Sequence, residues 1–413
     1  MKYWKRYTKQ EQNKIIDAAL QKNVNFLTDI SLGLPASKLD EMVFSSDAPY
    51  LKDSPLLRTF VNNPNHIGCH TTGISEDSFA GTHQLEREVL QVLAVDIFKC
   101  TSDFDGYMAT GGTEANIQAL WVYRNLFKNE FKATQDEIVI ICSEDSHYSM
   151  PKGANLLNLD IAQIPVDFNS REILEDELEK IILQLKAKGK KYFIVVSNMA
   201  TTMFGSVDNP ETYANVLIKH QLEFRIHIDG AFGGFVYPIN TEKTSVNFSN
   251  KHISSITIDA HKMLQAPYGT GVFICRKGLI ENVLTKEAQY VTGMDLTLSG
   301  SRAGASAIAV WMILFSYGPY GWFEKISILL MRTQWLCDEL DALNIKYYRH
   351  PRLNIVTMHS EHIPDELMHK YHLVPETHDG NHKWLKIVIM DHVEVDDLMA
   401  FVNDLKALNT FKA

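Results

Sequence analysis

The sequence predicts an α/β protein with a largely parallel sheet flanked by helices, followed by a smaller α+β domain. From about Phe104 to Cys275, apolar strand-like runs alternate with helical segments that carry an apolar residue every three or four positions. Beyond this block the pattern changes to a long helix, short strands and a final helix. Since open parallel sheets bind ligands at the carboxyl ends of their strands, we expect the functional residues there.

The elements follow in chain order. Two amphipathic helices precede the block, over Thr8–Lys22 and Gln84–Phe98. Within the block a helix is predicted over Arg171–Lys188, and apolar runs predict strands over Glu137–Cys142, Tyr192–Ser197, Phe224–Ile228, Ser255–Asp259 and Gly271–Cys275. After the block we predict helices over Glu324–Leu343 and Val395–Leu408, with strands at Tyr347–Tyr348, Asn354–Met358 and Trp384–Met390.

This pattern divides the chain into three regions. We predict an N-terminal helical and extended segment over residues 1–75, a large α/β domain over 76–305, and a small C-terminal α+β domain over 306–413. A chain of 413 residues is long enough for two or three such units.

Composition narrows the class of protein. The net charge of -10 argues against nucleic acid as a partner, because binding phosphates requires a basic surface. No apolar run approaches the ~20 residues of a membrane span. The five cysteines are scattered and odd in number, as expected of reduced thiols. We therefore expect a soluble cytoplasmic protein.

The segment around Lys262 carries the first chemical signal. Asp259-Ala-His261-Lys262-Met follows an apolar run, so the lysine comes at the end of a predicted strand. Lysine is rare beside buried strands, and its amine can form a Schiff base with a carbonyl cofactor. A solvated loop lysine is the ordinary alternative.

A second strand ends at His227-Ile-Asp229-Gly-Ala231. Asp229 could pair with the protonated pyridine nitrogen of pyridoxal 5′-phosphate (PLP), which keeps the ring able to accept electrons. The small residues that follow would let a flat ring lie against the backbone. On its own, such a segment is also a common strand-to-loop turn.

Two further segments add an anion site and an aromatic ring. Gly111-Gly112-Thr113 opens a predicted helix, and free N–H groups at a helix start bind phosphate. His147 follows the strand ending at Cys142 and could stack on the cofactor ring. Each could be merely structural, a helix cap and a satisfied histidine. The order of all four segments, over about 150 residues from Gly112 to Lys262, favours a PLP site.

These motifs resemble the group II PLP-dependent amino-acid decarboxylases, most closely the branch of histidine and serine decarboxylases. The matching segments are GGTEAN at 111–116, SHYS at 146–149, ATTMFGSVDN at 200–209, DGA at 229–231, HKM at 261–263 and SGSRAG at 299–304. The resemblance implies the PLP-dependent transferase fold (fold type I), a homodimer with its active site at the subunit interface, and PLP as the cofactor.

The resemblance also implies roles for individual residues. Lys262 would hold PLP as an imine, with Asp229 on the ring nitrogen and Ala231 and His147 on its two faces. The phosphate would be bound by Gly112, Thr113, His261 and, from the partner subunit, Ser301, with Thr202 near the edge of the cofactor.

Three residues would act on the substrate. Tyr290, in a loop with the features of a mobile lid, would protonate Cα, although it could equally be a packed loop aromatic. Lys386 stands where many family members carry a carboxylate-binding arginine, and a lysine lacks the bidentate fork of arginine. Arg302 is a further candidate for substrate binding. A late Tyr348-Arg349-His350 either matches histidine decarboxylases or caps a strand.

The leading hypothesis is decarboxylation of an L-amino acid to its amine, with histidine favoured and then serine or another small polar amino acid. The alternatives are another PLP reaction on the same fold, namely transamination, carbon–carbon cleavage or decarboxylation-dependent oxidation, and a catalytically idle binding protein. A metal site at His66, Cys69 and His70 lacks a further ligand cluster, and we predict no metal.

Overall fold

A computed structural model describes residues 1–25, 28, 51, 54–68, 73, 76–241, 244–284 and 293–410 of the chain. The described strands are β1 (Asn65–Ile67), β2 (Phe104–Ala109), β3 (Ile138–Ser143), β4 (Asp160–Ile164), β5 (Tyr192–Asn198), β6 (Glu223–Gly230), β7 (Ile253–Asp259), β8 (Gly271–Arg276), β9 (Ser301–Ala303), β10 (Tyr347–Tyr348), β11 (Ile355–His359), β12 (Val374–Pro375) and β13 (Trp384–Val388).

The described helices are α1 (Lys9–Gln21), α2 (Pro55–Asn62), α3 (Ala80–Gln91), α4 (Gly112–Phe131), α5 (Ser149–Leu157), α6 (Glu175–Ala187), α7 (Pro210–Lys219), α8 (Gly304–Ala342), α9 (Asp365–Lys370) and α10 (Val395–Thr410). The described chain also contains short 3₁₀ turns, and a π-helical stretch, Val92–Ile97, extends α3.

A seven-stranded sheet forms the centre of the molecule, in the order β2-β8-β7-β6-β5-β3-β4. The strands from β7 to β4 run parallel to one another, whereas β8 is antiparallel to both of its neighbours. The predicted α/β class with a largely parallel sheet is confirmed. The parallel arrangement brings the carboxyl ends of β3, β5, β6 and β7 to one edge.

Both faces of this sheet are covered by helices, as β3 illustrates. Its residues Ile138, Ile140 and Cys142 pack in one apolar cluster with α4 and α5. The intervening Val139 and Ile141 pack in a second cluster with α3, α6, α7 and α8. Such burial on two sides explains why the central strands read as continuous apolar runs in the sequence.

The C-terminal region forms a small sheet of its own, in the order β10-β11-β13-β12. Its strands pair antiparallel, and they share a separate apolar cluster with α9, α10 and the end of α8. Helix α8 is interrupted at Gly318, which has a positive φ of 63° and is followed by Pro319. Helix α8 runs through residue 305 without a break there. The division between two domains at that position stays a prediction.

The predicted helix bounds agree best where caps are encoded locally. Helix α1 begins after Thr8, whose hydroxyl accepts from the Glu11 N–H while Glu11 accepts from the Thr8 N–H. The helix predicted from Arg171 begins later, at Glu175, because Arg171 itself has a left-handed φ of 55°. Among the described helices, none is both long and apolar enough to cross a membrane.

Candidate active site

Lys262 lies in the turn after β7, at the carboxyl edge of the sheet. Strand β7 is buried along its whole length, whereas the Lys262 side chain is 30% exposed. It borders a cavity of about 530 Å³ whose lining also includes Gly112, Thr113, His147, Ala231 and His261. A small adjoining pocket adds Asp229 and Thr202 to His147, Ala231 and Lys262. The structure therefore brings together eight residues predicted from four separate segments and the Thr202 loop.

The glycine turn before α4 sits directly against the sheet. Gly111 precedes the first helical residue in an extended conformation, so the N–H groups of the first turn point out of the 20-residue helix. A Cβ on Gly271 of β8 would lie 2.4 Å from the Gly111 carbonyl carbon, so glycine is required there for the close approach. The helix start and Thr113 together provide donors for an anionic group.

Asp229 is the penultimate residue of β6 and is buried. Its Oδ1 accepts from the Ala231 N–H at 3.1 Å, and its Oδ2 accepts from Asn116 Nδ2 at 2.9 Å. These two donors fix the direction of the carboxylate. Asn116 belongs to the GGTEAN segment, but the sequence assigned it no role.

His147 contributes an uncharged imidazole to the cavity. Burial, and then the positive charge of Lys262, lower the pKa of His147, while Asp229 opposes the shift. Nδ1 lies 3.2 Å from the Ser149 backbone nitrogen and 2.9 Å from Ser149 Oγ. Because a backbone N–H can only donate, Nδ1 is the acceptor and the proton of the neutral ring is on Nε2.

Asp259 is a site residue that the sequence reasoning missed. Its Oδ2 accepts from the Gly112 N–H at 3.1 Å and lies 4.0 Å from Lys262 Nζ. Its Oδ1 lies 2.8 Å from His261 Nδ1, and burial raises the pKa of Asp259. The sequence does contain a signal for it: Asp259 is a carboxylate at the end of a strand that is buried on both sides, three residues before Lys262.

Lys386 reaches the site through the Thr202 loop. Its Nζ donates to the Thr202 carbonyl at 3.0 Å, and burial together with repulsion from Lys262 lowers its pKa. Lys386 belongs to β13 and lines a groove against α10 rather than the cavity itself. Ala200, two residues before Thr202, has a left-handed φ of 72°, which marks this loop as strained.

Ser301 and Arg302 lie on β9, and among the described residues neither lines the cavity. Ser301 pairs with Ile67 of β1 and is exposed. Arg302 is buried and its guanidinium donates to Glu86 Oε1 at 2.5 Å, the Met108 carbonyl at 2.9 Å and the Gly68 carbonyl at 2.7 Å. The geometry does not support the predicted substrate contact of Arg302, because an ion pair and two carbonyls already occupy its guanidinium.

Tyr290, Cys69 and His70 lie outside the described residues. The other predicted candidates, His66 and His350, have local structural partners. His66 is buried, with Nδ1 2.7 Å from Glu86 Oε2 and Nε2 2.7 Å from Thr82 Oγ1. His350 Nδ1 accepts from the Arg352 N–H in the turn after β10, the arrangement of a structural turn.

The chemistry of these groups fits PLP. Lys262 supplies an amine, the start of α4 supplies N–H donors for a phosphate, and Asp229 supplies a fixed carboxylate for a ring nitrogen. His147 and Ala231 border the same space. A set of this kind supports Schiff-base chemistry on an amino group.

Comparison with known proteins gives a concordant result. Residues 66–347 match the family model described as the pyridoxal-dependent decarboxylase conserved domain. The chain is 55% identical over 410 residues to a tryptophan decarboxylase of Clostridium sporogenes, covering 99% of this chain and 98% of that protein.

Two more distant similarities extend over nearly the whole chain. A probable L-tyrosine/L-aspartate decarboxylase of Methanosarcina barkeri is 28% identical, covering 90% of this chain and 96% of that protein. The solved structure of L-methionine decarboxylase from Streptomyces sp. 590 superposes with a TM-score of 0.72 at 19% identity, covering 96% of this chain and 93% of that one, a similarity of fold.

Proposed function

The chain belongs to the pyridoxal-dependent decarboxylase family, and from that premise we propose that it decarboxylates aromatic L-amino acids, tryptophan first. Its cofactor is pyridoxal 5′-phosphate and it is an amino-acid carboxy-lyase, as the sequence predicted. The finer resemblance to histidine and serine decarboxylases stays a prediction, and it ranks second here.

The reaction replaces one bond at Cα. The Cα–carboxylate bond breaks, CO₂ leaves, and a proton takes its place, so the product is the corresponding amine. When bound, PLP supplies the electron sink that holds the electron pair left at Cα. The protein must orient the substrate, exclude water and deliver the proton.

We assign the residues of the cavity as follows. Lys262 holds the cofactor through its amine, Asp229 faces the ring nitrogen, and His147 and Ala231 border the ring. Thr113 and His261 bind the phosphate beside Gly112, whose own N–H donates to Asp259 Oδ2, and Thr202 lies at the edge of the cofactor. The observation that carries this assignment is that one cavity and its adjoining pocket contain all eight.

Two residues are proposed for the substrate. Lys386 attracts its carboxylate from beside the Thr202 loop, where a positive charge lies next to Lys262. Tyr290 delivers the proton from its phenol to Cα; it lies outside the described residues, and this role rests on the family resemblance.

An aromatic substrate is favoured by two independent facts. The relative that shares 55% of its residues with this chain over nearly its full length is named for tryptophan. Beside the polar groups, the cavity is lined by the apolar surfaces of Ile117, Tyr148 and Leu298, and the Tyr148 side chain is 61% exposed. A flat indole buries more area on such walls than an imidazole or a hydroxymethyl group.

We further propose a homodimer that works in the cytoplasm. Ser301 is exposed on β9 and, within the described residues, is not among those that line the cavity of its own chain, which favours a phosphate contact with a second copy. Cys100, Cys142, Cys275 and Cys337 are free and buried, a state suited to a reducing compartment. Analytical ultracentrifugation tests the dimer: we expect twice the chain mass, and a monomer with full activity would contradict it.

The test of function is a substrate panel with the purified holoenzyme. Tryptophan, tyrosine, phenylalanine, histidine, serine and glutamate are supplied separately, and CO₂ release and product mass are followed. We expect tryptamine and CO₂ from tryptophan, abolished in Lys262→Ala and retained in Lys188→Ala, an exposed lysine at the end of α6.

The other outcomes decide between the alternatives. Histamine from histidine at the higher rate would overturn the aromatic assignment and restore the histidine prediction. A keto acid or an aldehyde without amine would replace decarboxylation by transamination or oxidation.

A further inference from the structure

We infer that Asn116 is the positioning residue that fixes both the Asp229 carboxylate and the His147 imidazole in the cofactor site, an inference that rests on the proposed function. Asn116 lies in the second turn of α4 and is 1% exposed. Its amide nitrogen lies 2.9 Å from Asp229 Oδ2 and 3.1 Å from Ser149 Oγ, and its amide oxygen lies 3.0 Å from His227 Nε2.

The orientation of the Asn116 amide follows from its neighbours. A carboxylate accepts hydrogen bonds and cannot donate them, so the NH₂ group must face Asp229. Its second hydrogen then points to Ser149 Oγ, and the amide oxygen is left for His227. The opposite orientation would place the amide oxygen against the carboxylate and leave both without a hydrogen.

The same reasoning sets the direction of the bonds behind Asn116. Since Nε2 of His227 must donate to the amide oxygen, Nδ1 of the neutral ring accepts, and Ser255 Oγ donates to it at 2.7 Å. Burial lowers the pKa of His227 to about 4, which keeps the ring neutral. Tyr123 in turn donates its phenol hydrogen to Ser255. Each hydrogen bond in this series, from Tyr123 to Asn116, is therefore donated in the direction of Asp229.

On the other side, Ser149 links Asn116 to the imidazole. Its hydroxyl accepts from Asn116, so its own hydrogen is available to His147 Nδ1 at 2.9 Å. One buried amide therefore orients the carboxylate assigned to the ring nitrogen and the imidazole assigned to the ring face. Replacing both partners of a buried hydrogen bond by apolar groups of the same shape can be nearly neutral for stability. Here the chain of donors ends on the cofactor site.

The test measures binding and spectrum rather than activity. Apoenzyme is titrated with PLP, and the visible absorbance of the bound cofactor is then followed against pH. We expect Asn116→Ala to weaken PLP binding roughly 10-fold to 100-fold and to move the pH at which the absorbance changes. Asn116→Asp keeps the size but can donate at most one hydrogen, and we expect it to behave similarly. The matched control is Asn125→Ala on the same helix, where the amide donates to the Asn282 carbonyl.

An unchanged affinity and pH profile in Asn116→Ala would overturn the inference. If that variant does not fold, a second pair decides: His227→Gln retains a donor to Asn116 and His227→Leu does not. Weaker PLP binding in the leucine variant alone supports the inference, and equal affinities overturn it. CO₂ release by the unmodified enzyme is measured separately; bound PLP without CO₂ would sink the proposed function and leave the Asn116 result readable.

Discussion

Replacing Arg302 distinguishes a structural ion pair from a substrate contact. The Arg302 side chain is 3% exposed and that of Glu86 is fully buried. Burial raises the pKa of Glu86, but Arg302 and His66 more than offset this and hold it well below its usual range. Arg302→Met would leave that buried carboxyl without its main partner. Breaking a buried pair from one side costs about 3–5 kcal/mol, so we expect the free energy of unfolding to fall by that amount.

The assay is urea unfolding at fixed protein and PLP concentrations, since ligand binding itself stabilises. The control is Arg352→Met, an exposed arginine, for which we expect a change within about 0.5 kcal/mol. Glu86→Met combined with Arg302→Met should recover part of the loss, because neither charge is then unpaired. If Arg302→Met keeps the stability of the native enzyme and instead raises KM for the amino acid, the ion-pair reasoning is wrong and Arg302 binds substrate.

Three further predictions each concern the replacement of one residue: Gly271, Asp208 or Lys386. Gly271→Ala would place a Cβ 2.4 Å from the Gly111 backbone, so we expect weaker PLP binding in a titration, and unchanged binding would refute the close approach. Burial raises the pKa of Asp208 to about 7, whereas in the unfolded chain the same carboxyl loses its proton near 3.8. Because the folded state keeps a proton that the unfolded state releases, we expect stability to fall as pH rises from about 4 to 7, by at most about 4 kcal/mol. Asp208→Asn should remove this slope in urea unfolding at several pH values, and a persisting slope would assign it to another group. Lys386→Met should raise KM for the amino acid roughly 10-fold without changing PLP affinity, and an unchanged KM would exclude Lys386 as the carboxylate anchor.

The sequence predicted the central strands well because these strands are buried on both faces. Strand β5 was predicted to within one residue at its end, and β7 was predicted from Ser255 rather than Ile253. Strand β2 was not assigned because Asp105 and Gly106 interrupt its apolar run. In the structure Asp105 accepts from Lys277 and from the Gly278 N–H, contacts that a local pattern does not reveal.

The site was predicted in outline for a related reason. Asp229 lies at the end of one parallel strand and Lys262 follows another, while His147 and Gly112 follow other strands of the same sheet, so all four come to one edge. What the sequence could not provide was the direction of hydrogen bonds and the partners of buried charges. Arg302 pairs with a glutamate 216 positions away, and no spacing rule points to it.

The most direct test of the account is to find which lysine carries the cofactor. The holoenzyme is treated with sodium borohydride, which fixes a lysine-bound PLP covalently, then digested and analysed by mass spectrometry. We predict the phosphopyridoxyl group on the peptide that contains Lys262, and its absence in Lys262→Ala. Modification of another lysine, such as Lys386, or of none, would contradict the assignment of the site.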